Sequence, residues 1–221
     1  MGQGDSHGDL PGDGAGRTVL VATRSAGKLR EIAALLAEAG WRAIDLDAAG
    51  IAESQDEDSL ESAETFEENA LAKARYFAAR SAGPGLPVLA DDSGLMCDAL
   101  GGAPGVYSKR WSVRPDLSGA ALDAANNAHL LDMLRGAETR RARYRCAAAW
   151  VDGAREIVAV GETVGRILEM ADGAGGFGYD PLFFSEELGA SFGVVSREAK
   201  SRVSHRGRAV RALLKKVSAG S

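Results

Sequence analysis

The stretch TVLVATRSAGKLREIAALLAEAG, Thr18 to Gly40, decides the fold class. Its first six residues, Thr18 to Thr23, form a short apolar, β-branched run that suits a buried strand. From about Ala26 to Ala39 the apolar residues return at helical spacing, with Leu29, Ile32, Leu35 and Leu36 on one face. Gly40 then stops the helix. A strand that turns directly into a helix is the unit of an α/β protein.

The rest of the chain repeats that alternation. Residues 45–61 are dense in acid, and Thr65-Phe-Glu-Glu68 has the form of a capping box opening a helix to about Ser81, with Phe66, Ala70, Ala74 and Phe77 as its stripe. After the break at Gly83-Pro-Gly-Leu-Pro87, a short strand Val88 to Ala90 leads into Asp91-Asp92-Ser93-Gly94, which places two carboxylates at a strand end. Ala120 to Leu134 reads as a helix, and residues 143–151 and 156–167 as a hairpin turning near Asp152-Gly153. A glycine-rich loop, 172–180, follows, and one helix from about Ser196 to Val217 closes the chain. Strands interleaved with helices, one pair as a hairpin, predict an α/β fold with a mixed sheet.

Composition narrows the function. The chain has 221 residues, 45% of them apolar, enough for one large or two-lobed domain over 18–221. Residues 1–17 are rich in Gly and Asp and poor in large apolar groups, which predicts a disordered tail. The net charge of −5 argues against a nucleic-acid partner. No apolar run approaches a membrane span or a signal core, so the expected setting is the cytoplasm, away from membranes. Cys97 and Cys146 lack metal-binding spacing and read as buried free thiols.

Two nucleotide signatures are present only in fragments. Thr23 to Lys28 ends like a P-loop, yet Ala22 replaces the first glycine and Leu29 the metal-binding hydroxyl. Gly173 to Gly178 matches GxGxxG, but Tyr179-Asp-Pro181 follows where a Rossmann helix should begin. The turn Thr23-Arg24-Ser25-Ala26-Gly27-Lys28 still suits a phosphate, because free amides and an ammonium gather at a helix N-terminus; a plain turn capped by Ser25 explains it as well. Asp91 and Asp92 suit a divalent cation, a general base or a solvated turn. Glu61 is a further candidate carboxylate in a segment otherwise read as solvated, and Glu68 reads as a cap. Asn69 and Lys73, four apart on one helical face, point together either to a cleft or to water. Phe177-Gly178-Tyr179-Asp180 offers aromatic faces for a base, or a loop anchored in the core. Lys200, His205 and Arg206 bring donors to the last helix.

Taken in order, TxxxGK, TFxENA, ADDSG, GGAPG, GGFGYDPxF and SHRG resemble the noncanonical purine NTP pyrophosphatases, the inosine triphosphate pyrophosphatase-like family, from about Thr18 to Leu214. The resemblance implies an elongated mixed sheet flanked by helices, two lobes around a nucleotide cleft, and a homodimer. It implies hydrolysis of ITP, dITP or XTP between the α- and β-phosphates, with Mg2+ held by Asp92 and Glu61. Asp92 would be the general base, with Lys28 and Lys73 assisting and Asp91 in support. Thr23, Arg24, Ser25, Ala26, Gly27, Lys28, Ser93, Phe177, Gly178, Tyr179, Asp180, Lys200, His205 and Arg206 would bind substrate. The family pattern Thr-Gly-Asn-x-x-Lys is replaced here by Thr23-Arg24-Ser25, with Lys28 retained. Two alternatives stay open: a catalytically impaired nucleotide-binding protein, and a pyrophosphatase for other modified nucleotides.

Overall fold

The computed structural model describes residues 17–80 and 85–219. Strand β1 (Arg17–Val21) runs into helix α1 (Ala26–Glu38), whose N-cap is Ser25: its hydroxyl accepts from the Lys28 amide. Ile32, Leu35 and Leu36 bury the predicted face, and Gly40 reverses the chain at φ +76°. Strand β2 (Trp41–Ile44), which the sequence pattern does not announce, lies parallel to β1 at the sheet edge. Helix α2 (Phe66–Arg80) begins after Thr65, whose hydroxyl accepts from the Glu68 amide and donates to the Glu68 carboxylate, so Glu68 is a cap. Its predicted stripe is buried, and Asn69 and Lys73 are buried beside it. Then come β3 (Val88–Cys97), α3 (Gly119–Met133), the hairpin β4 (Arg141–Asp152) and β5 (Arg155–Ile167), and the short β6 (Phe183–Ser185) and β7 (Ala190–Ser191). Helices α4 (Arg197–Val203) and α5 (His205–Ala219) end the described chain.

The sheet has seven strands in the order β2-β1-β3-β4-β5-β6-β7. β1 is parallel to β2 and β3, and the remaining pairs are antiparallel, so the predicted mixed α/β sheet is what the chain forms. Alternation along β1 divides the core: Val19 and Val21 pack with α1 and α5 on one face, Leu20 and Ala22 with α2 on the other. A third cluster joins Leu95, Leu130, Tyr144, Tyr179, Phe183 and Phe192. Cys97 and Cys146 are buried free thiols, as expected.

Three sequence expectations need correction. The strand expected to end at Ala90 continues to Cys97, so Asp91 and Asp92 lie within β3, opposite Ala148 and Ala147, rather than at its end. A strand can hold buried carboxylates when cations and amides reach them, and here they do. The helix expected over 196–217 is broken at Ser204, which is extended (φ −67°, ψ 149°) and whose hydroxyl caps α5 by accepting from the Gly207 amide. A Cβ on Gly207 would lie 2.0 Å from the Ser201 carbonyl, so the SHRG sequence permits this break. Finally, Arg17 belongs to β1; the rest of the tail, like Ser81 and the Gly83-Pro84 part of the predicted break, lies outside the described residues.

Candidate functional site

The site forms where β1 ends. Val21 is the last β1 residue paired with β3, opposite Leu89, after which the chain turns through Thr23–Ser25 into α1. Two residues further along β3, Asp91 and Asp92 therefore lie beside that turn instead of beneath another strand. Because β3 alternates, Asp91 shares the face of Leu89 and looks toward α1 and α5, while Asp92 shares the face of Ala90 and looks toward α2.

On the first face Asp91 is fully buried. Its Oδ2 accepts from Arg206 Nε at 3.0 Å and from the Ser93 hydroxyl at 3.3 Å, and lies 3.3 Å from Lys28 Nζ. Burial pushes this carboxyl up, but Lys28, Arg206 and Lys73 outweigh it and hold it well below the usual range. Burial likewise opposes the Lys28 ammonium, and Asp91, with Asp92 and Glu61, more than restores it. Arg206 is 2% exposed; its fork also donates to Ser93 Oγ at 2.8 Å and to Glu31. Glu31 in turn accepts from Lys200 at 2.8 Å, and Lys200 donates to Asp180 at 2.5 Å. Glu31, absent from the sequence candidates, thus joins the two cations of the last helices; its signal is its place three residues after Lys28 on α1.

On the second face Asp92 Oδ2 accepts from Asn69 Nδ2 at 2.9 Å, and its Oδ1 from the Ser93 amide at 2.9 Å. Burial, reinforced by Glu61, raises the Asp92 pKa against the pull of Lys28 and Lys73. Lys73 donates to Glu61 and, at 3.0 Å, to the Asp91 carbonyl. Glu61 is itself pushed up by burial but brought down to about 2 by Lys73 and Lys28. Lys28, Lys73, Glu61, Asp91 and Asp92 thus form one electrostatic group spread over both sides of β3. Asn69 and Lys73 point together to Asp92, Glu61 and the Asp91 carbonyl rather than to water.

The glycine-rich loop packs against the start of α1 through Phe177. A Cβ on Gly27 would lie 2.7 Å from the Phe177 ring, so the glycine admits the close approach of that aromatic to the turn. Lys200 Nζ is 5.0 Å and Arg206 Cζ 5.6 Å from the Phe177 ring centre. Asp180 accepts from the Phe177 amide at 2.9 Å, and burial raises its pKa despite Lys200. Tyr179 is buried and donates to the Ser108 carbonyl at 2.8 Å. Gly178 has both peptide groups engaged by α3: its amide donates to Asp123 at 2.8 Å and its carbonyl accepts from Asn127 at 3.0 Å. His205, 3% exposed, stacks on Tyr144 at 4.4 Å and 10°. Burial, then Arg206 and Lys200, push its pKa well below 6.5, which favours the neutral imidazole. Gly161 lets α5 begin directly against β5, since a Cβ there would lie 2.3 Å from the His205 carbonyl.

Thr23 and Ser25 to Lys28, Ser93, Phe177, Asp180, Lys200 and Arg206 thus line one region with Glu61, Lys73 and Asp92. Arg24 is the exception in orientation: its guanidinium is turned to Glu57 and Asp47 and away from the turn its backbone belongs to. Asn69, Glu57, Asp123 and Asn127 are contacts the sequence could not assign, because their partners lie 23 to 55 residues away. Among the described residues no group of three or more His, Cys, Asp or Glu side chains makes a metal cluster, and no helix is long and apolar enough to cross a membrane.

Comparison with known proteins gives one consistent result. Residues 19–216 match the model of the Ham1 family. A dITP/XTP pyrophosphatase of Geobacter sulfurreducens is 48% identical over 200 residues, 89% of this chain and 94% of that protein. A dITP/XTP pyrophosphatase of Burkholderia pseudomallei is 43% identical over 205 residues, 91% and 94% of the two chains. Among solved structures, a HAM1 protein from Coxiella burnetii is 30% identical with a TM-score of 0.75, covering 92% of this chain and 99% of that one.

Proposed function

The chain belongs to the Ham1 family, and from that premise we propose that it hydrolyses the noncanonical purine nucleotides ITP, dITP and XTP to the monophosphate and pyrophosphate. The relatives named dITP/XTP pyrophosphatases support the substrate class. The observation that carries the chemistry is Asp92, a carboxylate whose pKa is raised by burial, set beside Lys28 and Lys73 where β1 opens into the phosphate turn.

In this reading Asp92 takes a proton from the attacking water; its raised pKa makes it a better base than an exposed aspartate. The water oxygen bonds to the α-phosphorus as the bond to the bridging oxygen of the β-phosphate breaks, and pyrophosphate leaves. Lys28 and Lys73 offset the charge that develops on it. The turn Thr23–Lys28 holds the triphosphate through its amides and Lys28. Ser93, Phe177–Asp180, Lys200, His205 and Arg206 form the nucleoside wall, and donors there favour a 6-oxo purine over adenine, which presents an amino group instead.

Asp92 and Glu61 supply hard oxygen donors, and Glu61 disfavours charge on Asp92, which a cation would relieve. These residues fit Mg2+, which binds through one or two carboxylates plus water and phosphate oxygens. Bound there, the ion would neutralise polyphosphate charge. The reading further places the protein as a homodimer in the cytoplasm, built as one two-lobed domain over 18–221 and binding neither nucleic acid nor membrane. The test is product analysis with ITP and GTP side by side, with and without Mg2+. Inosine monophosphate and pyrophosphate from ITP only with the metal are expected; a diphosphate and orthophosphate would overturn the assigned bond.

A further inference from the structure

Arg24 belongs by its backbone to the phosphate turn, between Thr23 and the α1 cap Ser25, yet its guanidinium is committed elsewhere. Nε and Nη2 form a two-pronged pair with Glu57, at 3.0 and 2.8 Å. Nη2 also donates to the Ile51 carbonyl at 3.1 Å, and Nη1 reaches Asp47 at 3.3 Å. Of the five N–H donors of a guanidinium, these bonds employ four. The Arg24 carbon at the centre of the fork lies 5.9 Å from the Phe77 ring of α2.

Glu57 is the hinge of the other partner. It sits in the 3-10 helix Gln55–Ser59, where its carboxylate also accepts from the Ser54 amide at 3.2 Å to complete a capping box. That short helix ends at Ser59, and two residues beyond it stands Glu61, whose carbonyl is held by Arg110 at 2.7 Å and whose carboxylate meets Lys73. Residues 51–61 therefore reach the site tied at two ends: by Arg24 to the phosphate turn, and by Lys73 and Arg110 around Glu61. A phosphate that captured the Arg24 fork would leave the largely buried Glu57 side chain, 13% exposed, without its cation.

We propose that Arg24 is a positioning residue, not a phosphate ligand: it clamps the segment that carries Glu61 to the turn that holds the triphosphate, and so sets the distance across which a nucleotide is bound. The proposal rests on the functional reading of that turn given above. It differs from a direct contact in one consequence: Glu57, which lies in the 3-10 helix outside the Thr23–Lys28 turn, must matter as much as Arg24.

The experiment is a double-mutant cycle with Arg24→Ala, Glu57→Gln and the pair, in the full chain. Gln can keep the capping bond to Ser54, so Glu57→Gln removes mainly the charge facing Arg24. Amide hydrogen exchange of residues 51–61 without nucleotide reads the clamp, and KM for ITP reads its effect on binding. Both single variants should speed exchange in that segment and raise KM alike, by roughly tenfold or less, with the pair no worse than the poorer single. A raised KM in Arg24→Ala beside a normal Glu57→Gln would overturn the proposal in favour of a phosphate contact. Faster exchange with unchanged KM in both variants would overturn it in favour of a purely structural pair. Failure of the unmodified chain to release pyrophosphate from ITP would instead sink the functional reading, with exchange still deciding whether the two residues act as one clamp.

Discussion

Asp91 and Asp92 are neighbours in sequence and face opposite sides of the sheet: the Asp91 carboxylate meets Arg206 Nε at 3.0 Å on the α5 side, the Asp92 carboxylate Asn69 Nδ2 at 2.9 Å on the α2 side. Period-two alternation forces this separation and gives the two carboxylates different work. Asp91 is the anion that permits Lys28 and Arg206 to be buried and charged, whereas Asp92 is held in a setting that disfavours its own charge.

The conservative substitutions should therefore diverge. Asp91→Asn strands two buried cations and should cost about 3–5 kcal/mol of stability. Asp92→Asn should lower kcat on the order of a hundredfold or more while the melting temperature holds or rises, because burial already favours an uncharged group there. Thermal melting and turnover of both variants check this. Equal loss of stability in the two would contradict the division of roles.

How far the sequence reveals this arrangement depends on the range of the interaction. The faces of α1 and α2 and the β4–β5 hairpin are legible because periodicity and caps are local. The Ser204 break is hidden, since Val203, Val210, Leu213 and Leu214 continue a helical stripe through it and only Ser204 with Gly207 marks the turn. The length of β3 is hidden for a related reason: two adjacent aspartates read as a turn unless Arg206, 115 residues away, is known to neutralise one of them. The catalytic candidates come from motif resemblance, whereas Glu31, Glu57 and the partner of Asn69 come only from the folded chain.

Gly27 is the second residue of α1, where helix propensity alone favours alanine by about 1 kcal/mol. The Phe177 ring lies where a Cβ would go, at 2.7 to 2.9 Å. Gly27→Ala should thus fold normally yet push the ring aside and raise KM for ITP several-fold. In a Phe177→Ala background the same change should have no further effect on KM. Additive losses in the double variant would show that the two residues act separately.

His205 should make the protein acid-sensitive in a specific window. Its folded pKa lies well below the unfolded value of about 6.5, so below that pH the unfolded chain takes up a proton that the folded chain refuses. Stability from the neutral ring is intact above about pH 6.5 and falls by about 1.4 kcal/mol per pH unit below it until the folded pKa is reached. Phenylalanine suits the stack on Tyr144 and the neighbouring Phe183, and it has no buried nitrogen without a partner, unlike His205 Nδ1. Denaturant unfolding of wild type and His205→Phe from pH 8 to pH 5 should give curves that separate on the acid side, the variant losing less. Parallel curves would show that this histidine does not govern the window.

The last prediction concerns Gly178, whose φ of +61° suits glycine and whose amide and carbonyl are both held by α3, through Asp123 and Asn127. These two side chains stand four apart on one helical face, so a single rigid element sets the peptide between Phe177 and Tyr179. With its peptide groups already paired, Gly178 would serve the proposed nucleoside wall through shape rather than through a hydrogen bond of its own. Asp123→Ala and Asn127→Ala should each raise KM for ITP, with kcat changed by no more than about twofold, since Asp92, Lys28 and Lys73 are untouched. Asn127→Asp should do more harm than Asn127→Ala, because it sets a carboxylate against the Gly178 carbonyl and a second negative charge four residues from Asp123. Steady-state kinetics with ITP across the three variants gives the order. If Asn127→Asp matched wild type, or if kcat fell while KM held, the loop would not be positioned by α3 in the way its hydrogen bonds indicate.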